Sequence, residues 1–525
     1  RLTSFREWQV LSNSLQRANL QLVPQSTLLD QLWNQETDPM WKRPQFTRVV
    51  AMSHNPEYTG LSWREKLSSV RNELQALGAD AMIVTALDEV AWLLNLRGKD
   101  LPYAPLLKAF VLVTLRDVRI YVPPGKLLMP ERDLLAAYNC IQITKILFYT
   151  FNPTSVKDYE TVYPDLRKAL ELNKILIPTE GTFQRGASAA ITQAITASKR
   201  LFQLSPIIYL KAQKNMAEIK GMKKAHLRDS VAMSRMFVSE SWLFINLYMY
   251  LLWYPSGYIG LSMRTRVAFG PNGAEPEYRA TNATKRRIFS NSTLIIQSGG
   301  QYEEGTTVVT RTLHYGTPSR EERRAYTTVL RSLAAFATLQ APATLPAAHA
   351  DPVARAPLWS FRQDYLLPTG HGVGAALNRR EDPVVIDYRQ DTNLHTFREG
   401  YFVTSGKFPR KFGVKLSNVL EVIRLSSGYL GFKETTLLPY EPKLIDRNFL
   451  TDYEIKWLNA YNKRIRETVG PELTAQGLTD VYYWVMNKTI ELELPSKGKK
   501  QTNTAIIHKA TALFICVAFL VNTFN

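Results

Sequence analysis

The sequence predicts an α/β domain, then an α+β domain, and then a helical C-terminal extension. Strand-like and helix-like segments alternate over residues 56–210, which is typical of an α/β domain. Over residues 211–440 the strands come in pairs separated by helical stretches, which favours an antiparallel sheet with helices grouped beside it. Residues 441–500 carry helical spacing, with Trp457 and Trp484 among the apolar positions.

Length and composition allow more than one packed core. The chain has 525 residues, of which 45% are apolar and 21% are charged, so the composition is not that of a disordered protein. Lysine and arginine total 65 against 46 acidic residues, giving a net charge of +19. A basic surface can attract anionic lipid, sulfated glycans or nucleic acid, although a solvated charged face explains it more simply. No nucleic-acid-binding module is recognisable, so we expect no nucleic-acid partner.

The first domain has clear local signals. Residues 1–55 hold one helical pattern followed by a proline-bearing stretch. Ser62 and Glu65 form a Ser-x-x-Glu capping box, and apolar residues follow at helical spacing until Gly78. Short apolar runs then predict strands at residues 81–86, 111–114 and 119–122.

The second domain begins with a long helix near Asn215. Strands are predicted at residues 294–297 and 306–313, around a glycine-rich turn. A second strand pair is predicted at residues 400–404 and 414–423. An alanine- and proline-rich helix and loop connects the two pairs.

Cysteines and sequons point in different directions on cellular location. Cys140 and Cys516 are not expected to form a structural disulfide, and so few cysteines are typical of a reducing compartment. Three N-x-Ser/Thr sequons, at Asn282, Asn291 and Asn487, are glycosylation candidates for a secreted chain.

The C-terminal segment, residues 501–525, predicts a glycolipid-anchor signal. Residues 510–521 form a charge-free apolar run that is shorter than the roughly twenty residues of a membrane-spanning helix. Small residues at 503–505 and a basic stretch at 497–500 precede it. A buried C-terminal strand or helix is the alternative. We therefore expect the secretory pathway and an extracellular or membrane-attached protein, with a cytoplasmic location as the alternative.

Several segments, in the same order along the chain, resemble the eukaryotic Xaa-Pro aminopeptidase (aminopeptidase P) family. They are residues 58–63 (YTGLSW), 84–98 (VTALDEVAWLLNLRG), 270–274 (GPNGA), 298–302 (SGGQY), 309–312 (VTRT), 369–374 (TGHGVG) and 437–457.

The resemblance implies a small creatinase-N-like α/β domain, a pita-bread domain of the creatinase and aminopeptidase type, and a helical C-terminal module. Residues 1–55 resemble only the end of the family's first domain, so the chain would lack most of that domain. The resemblance also implies a homodimer, a peptide ligand and two manganese ions that activate a water molecule.

The metal-ligand positions of the family are degenerate in this chain. The family uses two Asp, one His and two Glu. These positions match Gln297, Val308, His371, Gly406 and Ser417. One ligand of five is kept, and no carboxylate remains, although divalent manganese requires hard oxygen donors. We therefore expect no metal cofactor. We interpret His371 as a packed relic within the glycine-rich run, because a catalytic metal site needs at least three protein ligands.

Positions that face substrate in the family have changed as well. Three histidines of the family match Glu277, Leu367 and Arg380. Glu277 and Arg380 either form an ion pair inside the former site or lie exposed in loops, and we expect the pair. Basic residues gather along this part of the sequence, at Arg379, Arg380, Lys407, Arg410, Lys411 and Lys415.

Two functions follow from these observations. The first is a catalytically inactive pseudoenzyme of the aminopeptidase P type with a binding role. The alternative is a metal-dependent aminopeptidase that releases the N-terminal residue from Xaa-Pro peptides, with metal held by His371, Gln297, Ser417 and water. No Gly-x-Ser-x-Gly elbow or Cys/His motif suggests another hydrolase site.

Overall fold

The computed structural model describes seven main segments of the chain. They are residues 3–23, 49–127, 154–238, 257–390, 395–405, 412–426 and 428–494, with the single positions 31, 33, 47, 408 and 409. The predicted anchor segment, both cysteines and Gly406 lie outside the described residues.

The first domain is a mixed six-stranded sheet with helices packed against it. Its helices are α1 (Phe5–Arg17), α2 (Pro56–Thr59), α3 (Trp63–Ala76), α4 (Leu87–Leu94), α5 (Val162–Lys168), α6 (Ala189–Ala194) and α7 (Ile207–Ala212). Its strands are β1 (Met52–Ser53), β2 (Ala81–Val84), β3 (Leu96–Arg97), β4 (Phe110–Thr114), β5 (Val118–Val122), β6 (Thr154–Asp158), β7 (Ile175–Pro178) and β8 (Arg200–Gln203). The strand order is β6-β5-β4-β2-β7-β8, and β1 pairs with β3 apart from this sheet.

Local sequence signals explain this domain well. The Ser62 hydroxyl accepts from the Glu65 amide, and the Glu65 carboxylate accepts from the Ser62 amide, so the predicted capping box starts α3. The apolar residues at helical spacing on α3 are buried in the core beneath the sheet. Gly78, with φ +63°, lies just beyond the end of the helix. The α/β prediction for this domain is confirmed.

The second domain is built mainly from antiparallel strands. Its helices are α8 (Met216–Val238), α9 (Arg320–Ala337) and α10 (Asp351–Trp359). Its strands are β9 (Tyr258–Leu261), β10 (Arg266–Phe269), β11 (Leu294–Ser298), β12 (Gly300–Tyr302), β13 (Gly305–Thr306), β14 (Val309–Leu313), β15 (Ala341–Pro342), β16 (Gly370–Gly372), β17 (Glu381–Ile386), β18 (Phe402–Ser405), β19 (Phe408–Pro409), β20 (Gly413–Val414), β21 (Asn418–Ser426) and β22 (Tyr429–Glu434).

Two of its sheets matter for function. One has three strands in the order β10-β11-β14, and the other has six in the order β15-β22-β21-β18-β16-β17. A bridge between Thr310 and Ser417 joins them. The glycine-rich turn predicted before β14 contains two short strands, β12 and β13. β12 pairs with β13 on one side and with β9 on the other. The α+β prediction is confirmed.

The C-terminal module consists of α11 (Asp452–Ala475) and α12 (Thr479–Lys488), which pack on each other and on α8. Arg311 on β14 connects this module to the sheet. Its guanidinium donates to the carbonyls of Pro439 and Leu438 and to the Tyr461 hydroxyl of α11. The two sheets and the helical module therefore meet beside the candidate site.

Buried ion pairs fix the first domain to the second. The Lys211 ammonium at the end of α7 lies 3.1 Å from an Asp88 carboxylate oxygen on α4. It lies 3.0 Å from a carboxylate oxygen of Glu381 on β17, which also pairs with Lys214. Separating Lys211 from Glu381 would leave uncompensated charges in the interior, which is energetically costly. The pair therefore favours the arrangement in which the two domains stay in contact.

Candidate functional site

A row of side chains crosses the junction of the two sheets. Arg266 lies directly opposite Gln297, and Gln297 lies directly opposite Thr310. Thr310 in turn bridges to Ser417. Because directly opposed residues on antiparallel strands point to the same face, the first three side chains line one surface, and the bridge brings the fourth beside them.

Lys415 occupies the surroundings of the first ligand position. Its Nζ donates to Oε1 of Gln297 over 3.0 Å, and both residues are buried. The backbone of Lys415 is held by Thr312, whose hydroxyl accepts from the Lys415 amide at 2.8 Å and donates to its carbonyl at 2.9 Å. A fixed ammonium beside the only amide oxygen of this position repels an incoming divalent cation at short range.

The second glutamate position of the family is filled by a hydroxyl that is already used. The Ser417 hydroxyl donates to the Thr310 hydroxyl over 3.0 Å, and the Ser417 amide donates to the Thr310 carbonyl over 3.1 Å. The serine therefore joins the two sheets and presents no negative charge.

The second aspartate position has become part of an apolar cluster. Val308 is buried, and valine has no atom that can bind a metal. Other buried members of the cluster are Met222, Met263, Val373, Ala375, Phe402 and Val419. The close packing of these side chains makes the surroundings of Val308 ordinary apolar core.

His371 lies on β16 with its imidazole among protein groups. Its Nδ1 is 2.9 Å from the carbonyl oxygen of Gly372, and its backbone amide donates to the Thr404 hydroxyl at 3.2 Å. The ring meets the Phe183 ring of the first domain edge to face, with centroids 5.9 Å apart. The backbone contact fixes the orientation of a single imidazole.

The donor set does not fit two divalent metals. It consists of one imidazole, an amide oxygen occupied by an ammonium, and a hydroxyl occupied by another hydroxyl. Across the described segments, no three His, Cys, Asp or Glu side chains converge closely enough to hold a metal ion. Two manganese ions would bring a charge that no carboxylate at these positions balances.

The expected ion pair between Glu277 and Arg380 is wrong. The Glu277 carboxylate pairs with the Arg266 guanidinium of β10, and the Arg380 side chain is exposed. Arg266 is the partner of Glu277 because β10 places the arginine in the row of side chains that includes Gln297. Leu367 does line the cleft, and its carbonyl accepts from the buried Arg355 at 3.1 Å.

Arg379 is the neighbour that turns inward. Burial, then the nearby charges of Arg380 and Arg266, lower the pKa of its guanidinium to about 10, and Glu277 opposes that change. The sequence places Arg379 in the basic group but cannot say that it, and not Arg380, is the less exposed of the two. Arg266 was missed altogether, although its position four residues before the start of the GPNGA motif was a usable signal.

A cavity of about 50 Å³ lies along this row. Its walls include Arg266, Gln297, Lys415, Tyr278, Tyr365, Leu366 and Leu367. That space accepts a few water molecules or one small polar group. Sites for larger organic ligands usually enclose about 300 Å³ or more, so a dipeptide does not fit the cavity as it stands.

Family models match three consecutive parts of the chain. The creatinase/prolidase N-terminal domain matches residues 42–218, the metallopeptidase family M24 matches residues 209–423, and the C-terminal region of peptidase M24 matches residues 428–492.

Curated relatives are similar over nearly the whole chain. The Xaa-Pro aminopeptidase ApepP of Drosophila melanogaster is 31% identical over 516 residues, covering 92% of this chain and 79% of the fly protein. Xaa-Pro aminopeptidase 1 of Dictyostelium discoideum is 32% identical over 467 residues, covering 85% of this chain and 71% of that protein.

Solved structures agree. The X-prolyl aminopeptidase of Caenorhabditis elegans, described as a cytosolic enzyme with a di-nuclear active site, superposes with a TM-score of 0.82 at 27% identity, covering 94% of this chain and 80% of the worm chain. The prolidase of Pyrococcus horikoshii has a TM-score of 0.53 at 20% identity over 72% of this chain and 99% of its own, which shows the fold alone. Since a creatinase/prolidase N-terminal domain matches residues 42–218, these findings do not support the loss of most of the family's N-terminal domain.

Proposed function

The chain belongs to the aminopeptidase P family of M24 metallopeptidases, and we propose that it is a member without catalytic activity whose role is binding. The observation that carries this proposal is the contact between Lys415 Nζ and Gln297 Oε1, 3.0 Å long. It places a positive charge where the resemblance calls for a carboxylate that binds a cation.

Electrostatics supports the proposal. A carboxylate at position 297 would attract a divalent ion, whereas the present amide is neutral and directs its oxygen to an ammonium. Arg266 lies directly across the strand pair and adds a second cation to the same face. Neither Val308 nor Ser417 restores negative charge. Binding of two manganese ions would first require Lys415 to withdraw or lose its proton.

The alternative is a metal-dependent Xaa-Pro aminopeptidase. It is favoured by the names of the relatives. They are Xaa-Pro aminopeptidases, and their similarity extends over most of this chain. It requires metal on His371, Gln297 and Ser417. The last two are the groups that the structure engages with Lys415 and Thr310. Ligand chemistry therefore opposes the alternative, while overall similarity supports it.

Metal content and peptide cleavage measured together test the proposal. The purified full chain is dialysed against manganese, its bound metal is counted by plasma mass spectrometry, and cleavage of an Xaa-Pro peptide is followed by chromatography. We expect neither stoichiometric metal nor cleavage.

A variant with restored carboxylates is the positive control. Gln297→Asp, Val308→Asp, Gly406→Glu and Ser417→Glu together return the family's ligand set, and that variant should retain more manganese than the natural chain. Stoichiometric manganese in the natural chain, removed by His371→Ala, together with cleavage, would establish the enzyme instead.

Cellular location and partners remain proposals. The description of the worm enzyme as cytosolic supports the cytoplasmic alternative for this chain. None of the comparisons supports secretion, glycosylation or a glycolipid anchor. Within the described residues, the search for a helix long and apolar enough to cross a membrane found none. A homodimer and a peptide ligand stay predictions from the family, as do the domain boundaries at residues 56–210, 211–440 and 441–500.

A further inference from the structure

The cleft beside β10 and β11 holds an excess of positive charge. Lys415 and Arg266 line it, and the half-buried Arg379 lies close enough to Arg266 for the two charges to repel each other. The acidic residues at the same place are Glu275 and Glu277, whose side chains are exposed at the rim, and the Glu277 carboxylate pairs there with Arg266. The interior of the cleft is therefore more basic than its edge.

The polar groups that face this cleft are mostly hydrogen-bond donors. The Oε1 atom of Gln297 is occupied by Lys415, so the amide of Gln297 offers only its Nε2 hydrogens to the cavity. Within the described part of the chain, no acceptor is found for Gln297 Nε2. The Arg379 guanidinium likewise makes no hydrogen bond or ion pair at contact distance there.

We propose that this cleft binds a small oxyanion, such as a phosphate, sulfate or carboxylate group. The inference rests on the proposed function, since it names the class of ligand for a site that has lost its metals. Charge-assisted hydrogen bonds from an ammonium, a guanidinium and an amide are the interactions that such an anion prefers. An anion would also offset the repulsion between Lys415 and Arg266, which line the same cavity, and between Arg266 and its neighbour Arg379.

The size of the cavity favours this class of ligand. A volume of about 50 Å³ accommodates a group of a few heavy atoms but not a peptide. The wall also includes two apolar side chains, the half-buried Leu367 and the largely exposed Leu366. An oxyanion that displaces the water of the cavity would accept hydrogen bonds from donors that are already in position.

The experiment is isothermal titration of the full chain at low ionic strength with EDTA present, using inorganic phosphate in one arm and acetate in the other. Phosphate alone points to an inorganic or phosphorylated ligand, and acetate alone points to a carboxylate such as a peptide terminus. We expect saturable binding in at least one arm. Lys415→Gln and Gln297→Glu should each weaken it by about tenfold or more, because each removes a donor and makes the cleft less positive.

Lys463→Gln is the matched control. It removes the same charge from an exposed residue outside the cleft, where Lys463 pairs with Glu467 over 3.7 Å. Its affinity should stay within about twofold of the natural chain, whereas general attraction to a basic protein would weaken equally in Lys415→Gln and Lys463→Gln.

Equal weakening in those two variants, or no saturable binding in either arm, would overturn the proposal. Binding that appears only when manganese replaces EDTA would also overturn it, and would count against the non-catalytic role as well. Absence of anion binding in a chain that also holds no metal would leave the non-catalytic proposal standing by itself.

Discussion

Two arginines, one fully buried and one half-buried, show how the frame of this protein, where the two sheets meet the C-terminal module, differs from its cleft. Arg311 makes six hydrogen bonds to backbone and side-chain oxygens and lies 4.6 Å above the Tyr440 ring. Arg379 faces Arg380 and Arg266 instead, and its pKa is lowered to about 10 by burial and by those charges. Arg311 in the frame is held by hydrogen bonds to oxygen atoms, whereas Arg379 beside the cleft lies near other cations that repel it.

The largest effect should come from removing the satisfied arginine. Arg311→Leu leaves several buried carbonyls and the Tyr461 hydroxyl without their donor, and we expect a loss of about 3–5 kcal/mol in the free energy of unfolding or failure to fold. Denaturant unfolding followed by fluorescence measures the change, since Trp457 and Trp484 report on the C-terminal module. Arg389→Leu, at a partly exposed site, is the control. A loss below about 1 kcal/mol for Arg311→Leu would mean that the hydrogen bonds of Arg311 contribute little to stability, against the comparison drawn above.

A buried acid gives the next effect, through pH. Burial, then the neighbouring Asp88 carboxylate, raise the pKa of Glu89 to about 7, while Ser205 and Lys211 oppose that rise. Because the folded pKa exceeds the unfolded value, Glu89 contributes less stability as pH rises from about 4.5 to 7. Glu89→Gln should therefore stabilise the fold at pH 8 by about 1–3 kcal/mol and change little at pH 4.5. Unfolding midpoints at the two pH values check this. An equal change at both would exclude the titration of Glu89.

Removing Arg379 should not lower the free energy of unfolding, in contrast to the removal of Arg311. Arg379→Gln relieves repulsion from Arg266 and Arg380, so we expect unchanged or slightly higher stability, within about 1 kcal/mol. Thermal unfolding in low and high salt provides the measurement. The gain should shrink as salt screens the cleft. A strong destabilisation would mean that Arg379 is as well satisfied as Arg311.

The smallest effect concerns pair coupling at the rim. A double-mutant cycle of Glu277→Gln with Arg266→Gln should give a coupling of about 0.5–1 kcal/mol, because the pair is partly exposed. The same cycle with Arg380→Gln should give a coupling near zero. A larger coupling to Arg380 would instead support the ion pair between Glu277 and Arg380 that was expected from the sequence.

The sequence predicted the frame better than the cleft. The Ser62 and Glu65 cap and the apolar strands are local signals, and each appears where it was expected. Gln297 and Ser417 were assigned from motifs, and β11 and the bridge to Thr310 place them in one row.

The orientation of the arginines could not be obtained in this way. Adjacent residues near a strand end point to opposite sides, and no local pattern decides whether position 379 or 380 turns inward. The contact from Lys415 to Gln297 joins residues 118 positions apart, so it depends on strand register and not on neighbouring sequence.

The bridge between Thr310 and Ser417 also bears on what the fold requires from its surroundings. In a protein whose ions join two sheets, the folded fraction follows the free concentration of those ions by mass action. Here two hydroxyls and a pair of backbone hydrogen bonds make the same connection within the chain. The connection between the two sheets is therefore made by the chain itself. We expect the folded population to be independent of the manganese supply of the cell.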